Sequence, residues 1–257
     1  MKEQTRGKYS GFPLLAILLF CCCVCHGQSL KTAPIANDSF NVKNRSFLLP
    51  LAHPAWKYYH SLSVFYVVTP SDWTLDNIIA PMLSYAGKYS LPYGFNVQGS
   101  FTTLIISNRI NLGPFWNYST GNYHFAAGYQ VAFNFGELTQ FGYNTWVKGW
   151  EQQPSLTAGY SFQKLAVVLR GDLYWTNAFY VSQDKYVIPY TTSFINGYSI
   201  SGSIEQKLYT NKKKNKDKLL SFGVKVYNVR YHFVAWPAFP VNKYRYWVPE
   251  FQLGLNL

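Results

Sequence analysis

No cysteine follows residue 25; all four sit together as Cys21, Cys22, Cys23 and Cys25. A disulfide framework is therefore excluded from the rest of the chain, and a secreted eukaryotic domain would ordinarily keep one. Long apolar runs are equally scarce. Outside the N-terminus no stretch of about 18 apolar residues exists, which excludes a helical membrane protein. Charge is thin as well: Asp, Glu, Lys and Arg make up 13% of the 257 residues, about half the share usual in a soluble domain. Aromatic residues stand in their place at 19%, with 22 Tyr and eight Trp. Amphipathic rings in that number suit a protein that meets two membrane interfaces.

The four cysteines lie inside an apolar run from about Phe12 to Val24, which follows Lys2, Arg6 and Lys8 and is followed by small residues near Cys25 and Gly27. This is the layout of a signal peptide, residues 1–27, too short to span as a helix. A lipoprotein cleavage before Cys21 is the rival, but Phe20 is too bulky for the small residue such sites prefer. Removal takes three bases and one acid from a chain of formal charge +12, leaving 20 basic and 10 acidic residues, or +10. With no nucleic-acid-binding motif in view, that charge points to phosphate-bearing lipid rather than nucleic acid. A mature chain without cysteine points to a bacterial envelope.

Residues 28–57 have no period and carry Pro34, Pro50 and Pro54, and read as a poorly ordered lead-in. The strongest pattern begins later. From Asn122 to Gly136, Tyr123, Phe125, Ala127, Tyr129, Val131, Phe133 and Phe135 alternate with small or polar neighbours. Alternation means a strand with one apolar face. At this length it exceeds a soluble strand of about five or six residues and matches the nine to eleven or more needed to cross a bilayer on a tilt.

The same alternation recurs at Gly94–Ile106, Leu156–Phe162, Leu165–Trp175, Tyr198–Lys207 and Leu220–Tyr227. Asn108 and Ser107 read as a turn, Gly113-Pro114 as a weak point, Glu151–Pro154 as a strand end, and Thr176–Pro189 as a loop. Gln163-Lys164 join two strands as a hairpin. Residues 71–92 could be a long outer loop, a lumen-lining turn, or a strand near Met82–Tyr89. The expected fold is an all-β, antiparallel, up-and-down transmembrane β-barrel over 58–257, of about ten strands, with eight and twelve as alternatives.

The chain closes on Trp247, Phe251, Leu253, Leu255 and Leu257 along one face, with Glu250, Gln252, Gly254 and Asn256 on the other. This ending resembles the last strand of bacterial outer-membrane β-barrel proteins, which alternates so and ends at the C-terminus, usually on Phe. The aromatic-rich style is similar to envelope proteins of the Bacteroidota. The resemblance implies a Gram-negative outer membrane, export through a cleaved signal, and as partners the barrel-assembly machinery and outer-membrane lipid including phosphate-bearing glycolipid.

Candidate site residues are the charges on inward faces: Arg170, Asp172, Glu205, Lys207, Lys225 and Glu250. Carried through the hairpins, Glu205, Lys225 and Glu250 should meet at one height. Paired, such charges would plug a small barrel; lining an opening, they would select solutes, as in a porin-like channel. His53, His60, His124 and His232 show no acid in a recognisable arrangement, so no catalytic residue, metal or cofactor is assigned. Two alternatives stand beside a narrow channel or a structural, surface-binding barrel. One is a membrane-embedded lipid hydrolase or acyltransferase. The other is a soluble secreted β-barrel that binds a hydrophobic ligand.

Overall fold

The fold comes from a computed structural model, which describes residues 41–71, 79–139, 144–183, 186–190, 193–208, 218–234 and 244–256. The predicted signal peptide and Leu257 lie outside the described residues. Among the described residues eleven strands run in order: β1 (Tyr58–Val68), β2 (Ile79–Ser90), β3 (Phe95–Thr103), β4 (Ser107–Thr120), β5 (Tyr123–Leu138), β6 (Thr145–Ser161), β7 (Leu165–Gln183), β8 (Tyr186–Tyr190), β9 (Phe194–Leu208), β10 (Lys218–Val229) and β11 (Tyr246–Asn256). Chain neighbours pair antiparallel except β8 and β9, and β1 closes on β11 from Ser61 opposite Asn256 to Val67 opposite Glu250. Along β7, β9 takes Leu165 to Thr176 and β8 takes Phe179 to Gln183, so β8 and β9 share one rail. The result is a closed ten-stranded barrel.

Alternation dictates the two faces. In β5, Tyr123, Phe125, Tyr129, Val131 and Phe133 are exposed, while His124, Ala126, Gln130, Ala132 and Asn134 are buried in the lumen. The outer wall is mostly apolar, with Leu62, Leu83, Leu112, Leu156, Leu169 and Ile200 exposed on six different strands. Rings cluster at both rims. Tyr58, Tyr89, Trp116 and Tyr123 stand at the terminal end, where β1 begins and β11 finishes, and Tyr66, Trp146, Trp150 and Trp247 at the far end. Exposed apolar wall between two aromatic girdles is a surface for lipid.

The β4–β5 turn at the terminal end is tight. Gly121 and Asn122 alone join β4 to β5, with Gly121 at φ +58 in the first central position, where a two-residue hairpin of the II′ type needs glycine.

Several boundaries differ from those expected. Glu151–Pro154 does not end a strand: β6 passes straight through it. Glu151 and Gln153 look into the lumen, and outward Gln152 is covered by a hydrogen bond from the Tyr129 hydroxyl. Pro154 sits opposite Tyr129 of β5, where the ladder to β7 is interrupted, so its missing N–H costs little. Thr176–Pro189 is not a loop either; β7 continues to Gln183 and β8 returns. A bulge beside Asn177 hides this, because the inward row passes from Asp172, Tyr174 and Thr176 to Phe179, and one extra residue exchanges the faces. Ser107 and Asn108 open β4 rather than turning, the turn being Leu104–Ile106. The strand expected near Met82–Tyr89 is present as β2, while residues 72–78 lie outside the described residues. One strand lost by fusion and one gained leave the count at ten.

Candidate functional site

The lumen is filled in three tiers. At the terminal end lie residues 41–57, part of the expected lead-in, but its described portion is folded into the mouth of the barrel. Asn41 caps a 3₁₀ turn, Val42–Asn44, by accepting from Lys43 N at 3.0 Å. The Lys43 ammonium then donates to Gly121 O at 2.8 Å and Asn122 Oδ1 at 2.9 Å, and Val42 N to Gln163 O at 3.0 Å. Val42 and Leu49 are fully buried against Ala166, Val168 and Leu219 of the wall. Asn117 Nδ2 donates to Leu51 O at 2.7 Å. His53 stacks on Tyr59 at 4.2 Å, with its Nε2 3.1 Å from Ser46 O. Burial first, and the Lys88 charge second, lower its pKa to about 3, so it is neutral.

Two charged wall residues hold this segment by its backbone. Glu205 of β9 accepts from Phe47 N at 3.0 Å and Leu48 N at 3.3 Å, and also from Ser46 Oγ and Asn256 Nδ2. Lys88 of β2, 1% exposed, donates to Phe47 O at 2.9 Å and Leu49 O at 3.4 Å.

The middle tier carries the predicted charges that do meet. Asp172 bonds Arg170 Nε at 2.7 Å and Lys225 Nζ at 2.9 Å, and accepts from Ser199 Oγ at 3.2 Å. Glu250 stands opposite Lys225 in the ladder and accepts from the Tyr227 hydroxyl at 3.1 Å. Lys225 also lies over the Tyr227 ring, 4.8 Å from its centre.

The expectation that Glu205 joins Lys225 and Glu250 fails. Glu205 pairs with Ser221, four residues from Lys225, or about 13 Å along the strand at 3.3 Å per residue. Lys207 lies beyond it at the terminal end of β9, half-buried, with its N–H on Lys164 O. On the closing strand, Trp247, Phe251 and Leu253 face outward and exposed, with Leu255 half-buried on the same face.

The far tier was not foreseen. Residues Tyr231 to Val234, after β10, fold back into the mouth and are buried. Their anchor is Glu151, which pairs with Arg109 at 2.8 Å and accepts from the Tyr231 hydroxyl at 2.9 Å, Asn196 Nδ2 at 3.1 Å and Thr176 Oγ1 at 3.2 Å. Arg109 further bonds Gln153 Oε1 at 3.1 Å and lies over the Phe233 ring at 5.7 Å. His232 stands edge-on to Tyr227 at 4.6 Å, and burial, then Arg109 and Lys225, hold its pKa well below the usual value. Arg109 was legible as the polar alternate of Ile110 and Leu112. Glu151 was masked by its Gln and Pro neighbours, and Lys88 by the unassigned segment around it.

Between the tiers is a cavity of about 230 Å³ with a mixed lining, bounded by Phe47 and Leu48 below, Phe233 above, and Arg109, Arg170, Lys225 and Glu250 at the sides. Of the histidines, His124 is buried with both nitrogens taken by hydroxyls, Ser119 Oγ at 3.0 Å and Ser161 Oγ at 2.9 Å.

Fold and lumen together define a transmembrane β-barrel whose interior is occupied by its own chain at both mouths. No family model matches the sequence, and no curated protein does. Among solved structures it is similar to the translocator domain of the autotransporter NalP from Neisseria meningitidis, at 9% identity over 96% of both chains with a TM-score of 0.41. It is also similar to Neisserial surface protein A, at 13% identity over 78% of this chain and 96% of that one, TM-score 0.29. A third likeness is to OccK11 of Pseudomonas aeruginosa, at 10% identity over 76% and 65%, TM-score 0.24. What identifies this chain as a barrel is its own strand ladder, and fold alone does not assign an activity.

Proposed function

We propose that this is a bacterial outer-membrane barrel whose resting state does not conduct, a structural or surface-exposed membrane protein rather than a standing pore. The observation that carries the reading is the occupied lumen: Glu205 and Lys88 hold chain in one mouth, Glu151 holds chain in the other, and the charges between them are mutually paired. A ten-stranded barrel has a lumen narrow enough for side chains and two short segments to fill. The apolar outer wall supports a membrane over a soluble ligand carrier, since soluble proteins rarely expose so large an apolar surface.

In this reading the terminal end faces the periplasm and the far end faces outward. Lys148, exposed on the outer wall and lying over the Trp146 and Tyr180 rings at 5.2 and 5.7 Å, would meet the phosphate of a glycolipid headgroup. The outward row of β11 would be the feature that the barrel-assembly machinery engages.

The test is a planar bilayer recording of the purified wild-type protein. Silence, broken at most by brief openings, is expected. A stable open level across many insertions would replace this reading with that of a solute channel.

A further inference from the structure

The segment in the terminal mouth is held in an unusual manner: two charged wall residues bind it largely through main-chain atoms. One carboxylate, Glu205, takes two consecutive N–H groups, Phe47 and Leu48, and one ammonium, Lys88, takes the carbonyls of Phe47 and Leu49. A carboxylate that accepts two consecutive N–H groups and an ammonium that donates to the carbonyls grip a bent stretch of main chain, Phe47–Leu49, and leave selection to the apolar side chains. The segment contributes no strand to the sheet. The ring of ladders closes without it, β1 on β11 included. Leaving would break the segment's own bonds to the wall but none between strands, and would open Glu205 and Lys88 to water from the periplasmic side.

From this we infer that the terminal mouth is a peptide-binding site that reads main chain, filled in cis by Ser46–Leu49, and that this segment is an exchangeable stopper rather than a fixed part of the core. The inference rests on the closed-lumen reading above and adds a ligand class to it: a peptide able to take this bend, with a small hydroxyl residue followed by apolar ones. The occupant is this chain's own segment. The cost of leaving is moderated because the segment's side chains bury only a local cluster, Val42, Leu49 and Leu51 against the wall, and the opposite charges of Glu205 and Lys88 remain to balance one another.

The experiment uses the full barrel in detergent with Ser63→Cys, a lumen position that lines the cavity, on a chain otherwise free of cysteine after residue 25. The rate of labelling by a bulky maleimide reports how often the mouth opens. Phe47→Pro deletes the N–H that Glu205 accepts, whereas Phe47→Leu keeps it. Loss of one hydrogen bond to a charged group should raise the rate by about tenfold or more for the proline variant and by less than about twofold for leucine. Excess synthetic peptide of residues 41–56 should slow the proline variant again. Should the proline variant not show a folded, heat-modifiable band, Lys88→Met, which leaves the segment intact, is scored by the same criteria.

Equal rates for proline and leucine, or no effect of the peptide, would overturn the inference and show a fixed plug. The proline and leucine variants differ only at the terminal mouth, so any entry through the far mouth is common to both, and this outcome is separate from a wild-type protein that conducts, which would count against the closed-lumen reading instead.

Discussion

Asp172 is the residue on which the middle of the lumen turns, because one carboxylate serves both Arg170 and Lys225. Asp172→Asn leaves two cations beside each other without their anion and should cost on the order of 3 to 5 kcal/mol, less where water from the cavity reaches them. Lys225→Met should cost less, since Asp172 keeps Arg170. The double variant should recover part of the first loss, and denaturant midpoints of the three proteins in lipid or detergent check the order. The histidines supply a pH dependence. His53 is held neutral with a pKa lowered to about 3, against 6.5 for the unfolded chain, so below about pH 6.5 the unfolded state binds the extra proton. Its contribution is whole above that pH and is lost as pH falls towards 3, by up to a few kcal/mol. Thermal unfolding at pH 7 and pH 4.5 should show the drop, and His53→Phe should flatten it. At this scale the sequence named four of the residues that meet, Arg170, Asp172, Lys225 and Glu250. It misplaced Glu205, because height around a barrel depends on the register of every hairpin, and the segment that Glu205 holds has no period to read.

Strands were legible wherever one apolar side chain followed every second position without interruption. β5 is the plainest case, and its outward Val131 provides a test of the faces. Val131→Lys near mid-membrane should cost about 2 to 4 kcal/mol of folding stability in lipid vesicles. The inward neighbour Gln130 is not a neutral comparison, because its Oε1 accepts from Arg170 Nη2 at 3.0 Å and a lysine there would face that cation. Ser203, on the cavity wall, is the better control, and Ser203→Lys should be tolerated at a small fraction of the cost. The opposite order would mean inverted faces. Where alternation was broken, strand reading failed for reasons now visible. In β6 the polar run Glu151–Gln153 divides between lumen and outer wall, and in β7 the bulge at Asn177 moves the inward row by one residue. A bulge leaves no trace in composition, so periodicity alone ends the strand there.

At the scale of the whole barrel the two mouths act in series. Solute can pass only when both are open at once, so the conducting fraction is the product of two opening probabilities if the mouths move independently. Loosening one mouth should therefore leave the bilayer almost silent. Tyr231→Phe removes a hydroxyl that lies 2.9 Å from Glu151 and 2.6 Å from Thr176, and Phe47→Pro removes one backbone donor from the other mouth. Each loss is worth on the order of 1 to 3 kcal/mol, or roughly a factor of 5 to 150 in its own opening equilibrium. Either variant alone should raise open time by no more than its own factor above a near-zero wild-type level. Together they should multiply, giving openings that single-channel recording resolves easily. A double variant that only adds the two small effects would mean that the mouths are coupled through the paired charges between them, with Asp172 the residue to replace next.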